Sequence, residues 1–89
     1  MNEARRFEDI PNVGSRIARD FRNLGFTHPT TLKTQDPFLL YKKLCAHTKV
    51  RQDPCVLDVF MSVVDFMNGA PKTPWWHYTS ERKQRYPKL

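Results

Sequence analysis

Gly14, Ser15 and Arg16 lie where a tight turn, Ile10-Pro-Asn-Val, gives way to residues with helical spacing. Backbone N–H groups at such a helix start have no intrahelical acceptor, and with an arginine beside them they suit a phosphate. Pro11 restricts the chain ahead of the turn, and Asn12 and Gly14 are the local residues best able to take a positive φ. Either Ser15 or Gly14 supplies the cap of the helix that follows. Val13, Ile17, Phe21 and Leu24 recur at spacings of four, four and three on one face, and Arg16, Arg19 and Arg22 recur at three on another. The plainer alternative is a purely structural turn whose arginines coat a solvated face.

Other chemistry finds less support in the residue pattern. Cys45, His47 and Cys55 include two metal-binding residue types, but C-x-H with a lone cysteine eight residues later lacks the paired spacing of zinc ligands. His77 would join such a set only by coincidence of folding, so neither a metal nor any other cofactor is expected. The cysteines read as buried thiols rather than a disulfide. Asp58 and Asp65 are seven residues apart on one helix side. That is about 10.5 Å along the axis, too far for a carboxylate pair working on one bond. Cys45 and His47, two apart on a helix, do not face one another. His28 stands alone on a polar loop, and no catalytic set emerges.

The chain of 89 residues makes a single domain, 1–89. A domain of this size buries only about 60 to 68% of its unfolded surface, which leaves little volume for a deep cleft. No stretch approaches the roughly 18 apolar residues of a membrane span, and the polar start lacks the hydrophobic part of a secretory signal. The expected location is therefore the cytoplasm, away from membranes. The formal charge of +6 favours polyanionic partners. It is unevenly spread: residues 26–51 carry Lys33, Lys42, Lys43, Lys49 and Arg51 against Asp36. The last nineteen carry Lys72, Arg82, Lys83, Arg85 and Lys88 against Glu81.

The element that must position these residues runs from Asp53 to Asn68. It is apolar except for Asp58, Ser62 and Asp65, which make one narrow polar stripe, the thin edge expected to face water. Asp53 and Pro54 suit its start, and Asn68, Gly69 and Pro71 its end. Its β-branched valines favour a strand, but the unbroken length fits a helix better. Asp36-Pro37 repeats the cap-and-proline start for a helix reaching His47. Residues 1–9 are expected to form a short helix that docks Phe7, and 27–35 a connection with one helical turn near Leu32. Gly25 closes the helix after Arg22 in a left-handed cap. Pro71 to Leu89 reads as an aromatic cap, Trp75, Trp76 and Tyr78, followed by a basic tail. Thr79 is the expected cap of a last helix, with its basic residues and the tail in solvent.

Residues 10–26 resemble the helix-hairpin-helix signature: Val13, Gly14, Arg16, Ile17 and Ala18 match it, and Asn12 stands where its first glycine usually is. The resemblance implies that hairpin amides around Val13, Gly14 and Ser15, with Asn12 shaping the turn and Arg16 and Arg19 assisting, grip a DNA backbone phosphate without reading sequence. Residues 37–68 would form a degenerate second hairpin whose loop lacks glycine and offers the charges of Lys49 and Arg51 instead. Over its whole length the chain also resembles the Cdd1, or pathogenicity-locus, family, whose members carry the label of mitomycin-resistance proteins. The carrying segments are I-P-N-V-G-S-R-I-A-R-D-F-R-N-L-G, L-L-Y-K-K-L-C, V-R-Q-D-P-C-V-L-D-V-F and P-W-W-H-Y-T.

The expected fold is all-α, a compact SAM-domain-like helix-hairpin-helix bundle of about five helices. The expected function is noncatalytic, sequence-nonspecific binding of duplex or branched DNA through Asn12, Val13, Gly14, Ser15, Arg16 and Arg19, with Lys49 and Arg51 as a second contact. The alternative is a protein-interaction or adaptor domain, since fold alone does not set function. A monomer is expected, with a dimer left open.

Overall fold

Among the described residues, 3–89, the computed structural model contains four α-helices and no strand. The helices are α1 (Ser15–Asn23), α2 (Pro37–Thr48), α3 (Cys55–Met67) and α4 (Thr79–Arg85). Three short 3-10 turns join them, Phe7–Asp9, Pro29–Thr34 and Trp75–Tyr78. The all-α class read from the sequence is the class observed. Met1 and Asn2, the start of the helix expected over 1–9, lie outside the described residues; Phe7–Asp9 forms the turn, and Phe7 is buried.

Local signals start and stop the helices. The Asp36 carboxylate accepts from the N–H of Phe38 at 2.8 Å and of Leu39 at 3.3 Å, and the Asp53 carboxylate accepts from Cys55 N–H at 2.9 Å. Each carboxylate satisfies amides that the helix itself leaves without acceptors. Gly25, at φ 96°, ends α1: its N–H donates to Arg22 O at 3.0 Å and Phe26 N–H to Phe21 O at 3.1 Å, a Schellman closure. Helix α2 has no glycine at its exit, and Lys49 takes the left-handed conformation there at φ 58°.

Helix α3 is the centre, with Leu57, Phe60 and Val63 fully enclosed. Phe21 of α1 bridges to it, its ring 5.4 Å from Phe60 on one side and 5.4 Å from Phe7 on the other. Leu32 pins the Pro29–Thr34 turn, and Asn68 Nδ2 donates to Lys33 O at 2.9 Å. Leu40, Tyr41 and Leu44 supply the buried face of α2.

The polar stripe of α3 differs from its expected role. Asp58 and Ser62 are buried, not solvated, because later segments bring polar partners to them. Arg82 Nε donates to Asp58 at 2.8 Å, Thr79 Oγ1 to the other carboxylate oxygen at 2.7 Å, and Asn12 Nδ2 to Ser62 Oγ at 3.2 Å. Further along, exposed Asp65 hydrogen-bonds Tyr78. The stripe is thus the seam on which the first turn and the C-terminal segment dock. Arg82, expected in solvent, is buried against Asp58, and Thr79 spends its hydroxyl there instead of capping α4. The tail is docked too: Tyr86 stacks on Phe38 at 4.5 Å with the rings 5° from parallel, and Leu89 packs on the core. Lys83, Arg85 and Lys88 remain exposed.

Cys45 and Cys55 are free, half-buried thiols, and no cluster of metal-ligating side chains forms among the described residues. No helix among them is long and apolar enough to cross a membrane.

Candidate functional site

The turn before α1 is built from its ends inward. Ile10 and Val13 are buried, and Val13 N–H donates to Ile10 O at 3.1 Å. Pro11 takes the second position of the turn and Asn12 the third at φ 73°, as a type II turn requires. Asn12 therefore supplies the positive φ that the sequence suggested, while Gly14 does not. Gly14 lies at φ −90° and ψ −174°, ordinary extended backbone, and caps α1. Asn12 also faces inward, its Nδ2 donating to Ser62 Oγ at 3.2 Å and to Thr73 O at 2.7 Å.

The start of α1 is open. Ala18 N–H donates to Gly14 O at 3.0 Å, so the N–H groups of Ser15, Arg16 and Ile17 precede the first intrahelical bond, and no side chain caps them. A Cβ built on Gly14 would meet nothing within 4 Å. Ser15, Arg16 and Arg19 are exposed around this opening, and Arg19 has no ion pair among the described residues.

Gln52 joins this opening to the loop between α2 and α3. Its Oε1 accepts from Arg16 Nη2 at 3.1 Å, its Nε2 donates to Thr48 Oγ1 at 3.0 Å, and its backbone N–H reaches Cys45 Sγ at 3.4 Å. The Tyr41 hydroxyl donates to Gln52 O. Lys49 and Arg51 are thereby held on the same loop as the residue that orients Arg16. With Lys42 they line a groove of about 440 Å³ that has no acidic side chain in its walls. Burial pushes the Tyr41 phenol up, the neighbouring Cys45 adds to the rise, and the Arg51 guanidinium opposes it. Burial and the Asp53 carboxylate likewise push the Cys55 thiol up, which keeps it protonated and unreactive.

The sequence-derived residues thus fall into two groups. Gly14, Ser15, Arg16 and Arg19 surround one exposed helix start, with Lys49 and Arg51 reached through Gln52. Val13 and the Asn12 side chain are internal supports. Gln52 is absent from the sequence reading because a polar residue in a short loop has no periodicity to place it.

A family model described as the pathogenicity locus, Cdd1, matches residues 1–84. The chain belongs to that family. Among curated proteins it is similar to the mitomycin resistance protein McrB of Streptomyces lavendulae, 48% identical over 75 residues, covering 84% of this chain and 71% of the relative. No solved structure matches.

Proposed function

We propose that this member of the Cdd1 family is a noncatalytic, sequence-nonspecific DNA-binding module acting in the cytoplasm as a monomer. In this reading the amides at Gly14, Ser15 and Arg16 hold a backbone phosphate as a helix-hairpin-helix does. Arg16 and Arg19 add charge, and Lys49 and Arg51 reach a second phosphate.

Gly14 is the observation that carries it. Glycine is needed in a fold for a positive φ or for close approach of neighbouring atoms. Gly14 has a φ any residue adopts and free space where a Cβ would stand, so the fold asks for neither. The remaining use of a bare backbone there is to admit an outside group to the amides of α1, and an anion is the group those amides attract. Nothing at the site presents a set of side chains to base edges, so affinity would come from phosphates and fall with salt. The label of the Streptomyces relative fits the same reading if resistance acts through binding of damaged DNA.

Gly14→Ala tests it. The substitution costs at most about 1 kcal/mol of stability at a cap position, and it should weaken duplex binding as measured by fluorescence anisotropy. Undiminished binding by a Gly14→Ala protein would remove the helix start from the interface. A second reading, a protein-interaction domain, is favoured by the exposed side chains of Leu39 and Val50 on and after α2. It predicts stoichiometric capture of a partner that Val50→Asp abolishes and Arg16→Ala/Arg19→Ala leaves unchanged.

A further inference from the structure

The most exposed aromatic side chain lies beside the turn that shapes the proposed phosphate site. Trp76 is 64% exposed, and its indole forms one wall of a groove of about 330 Å³ completed by Pro11, Asn12, Lys72, Thr73 and Pro74. The groove joins distant parts of the chain: Asn12 Nδ2 donates to Thr73 O at 2.7 Å, fastening the first turn to the segment that carries Trp76. Trp75 meets Trp76 edge to face at 5.7 Å and 85°, which supports the exposed ring from one side. Core packing explains Tyr78 and the half-buried Trp75, but it does not explain an indole held out in water.

From these features we infer that Trp76 is a stacking platform for an unpaired nucleobase of a DNA strand whose backbone is held at the start of α1. The inference rests on the DNA-binding reading above and names the form of DNA preferred. A flat π-face beside a proline ring accepts a base of any identity, and Lys72 in the groove wall, with no carboxylate among the lining residues, suits the adjoining phosphate. Pro11 and Asn12 precede Ser15 by four and three residues, so one strand can meet both features. Bases within a duplex are stacked on their neighbours and have no face to offer. Only an overhang, a fork or an extruded base does, so the groove selects DNA with unpaired nucleotides.

The test compares three fluorescent DNAs of equal charge at low salt: a blunt duplex, a duplex with a single-stranded overhang, and the same overhang with abasic sites. The full chain should bind the overhang about 5- to 150-fold more tightly than the blunt duplex, the range expected for one base stacked on an aromatic ring. The abasic overhang and the Trp76→Ala variant should lose that preference, Trp76→Phe should keep most of it, and Arg16→Ala/Arg19→Ala should weaken all forms alike. A preference that survives Trp76→Ala or removal of the bases overturns the assignment. So does equal binding of blunt and overhang DNA that remains sensitive to the arginines, while leaving phosphate binding intact. Absence of binding to every form defeats both readings.

Discussion

At the scale of single residues, the stripe on α3 shows how a polar side chain on an apolar helix can be read the wrong way. Asp58 looks like a solvent edge because its partner, Arg82, lies twenty-four residues away in what reads as a basic tail. Charge composition cannot pair the two; the docking of the C-terminal segment does. Removing one partner of a buried ion pair strands the other, so Asp58→Ala should cost about 3 to 5 kcal/mol in urea unfolding. Asp58→Leu combined with Arg82→Met should recover most of that loss, because an apolar pair of similar volume has no desolvation penalty. A single variant no less stable than the parent would show that the pair is not closed in solution. Asn12 is the counterpart that the sequence did disclose. Its tolerance of positive φ was legible from residue type, whereas its two inward hydrogen bonds, to Ser62 and Thr73, required the tertiary structure.

At the scale of elements, the helix limits were readable because each depends on local chemistry: Asp36-Pro37, Asp53-Pro54, Gly25 and Asn68-Gly69 all act where their types predict. The exit of α2 was not readable, since no glycine marks it and Lys49 takes the left-handed conformation instead, at φ 58°. A non-glycine residue there costs about 1 to 2 kcal/mol, so Lys49→Gly should raise stability by about 1 kcal/mol. If Lys49 contacts DNA, the same change should weaken binding, moving stability and affinity in opposite directions. Thermal unfolding and anisotropy on one variant report both, and unchanged affinity would take Lys49 out of the interface. The C-terminal cap has its own signature in alkali. Burial and the Asp65 carboxylate push the Tyr78 phenol from 10.0 up to about 12. The unfolded chain therefore loses this proton first as pH rises. Tyr78 stabilises the fold fully below pH 10, and its contribution is lost as pH climbs from there through 12. Tyr41 is raised in the same direction. Urea unfolding between these limits should show a falling stability whose slope is shallower in Tyr78→Phe; an unaltered slope would mean the phenol is not enclosed.

At the scale of the whole molecule, the all-α class and the central place of α3 followed from periodicity, and the turn at residues 10–13 from residue type. What joins the first turn to the rest did not, because it runs through single long-range bonds: Arg16 to Gln52, Asn12 to Thr73, and Thr79 to Asp58. These bonds place an open helix start beside a basic loop on one side and an exposed indole on the other. With a formal charge of +6, the molecule is suited to a polyanion. The most direct measurement is the salt dependence of binding to a labelled blunt duplex by anisotropy, from about 20 to 300 mM. The parent is compared with Arg16→Ala/Arg19→Ala, with circular dichroism to check that both are folded. The account predicts saturable binding whose logarithm falls linearly with log salt, and a slope made shallower by about 0.9 for each phosphate contact the arginines supply. Absence of saturable binding at the lowest salt, or a slope and affinity that the two substitutions leave unchanged, would contradict it.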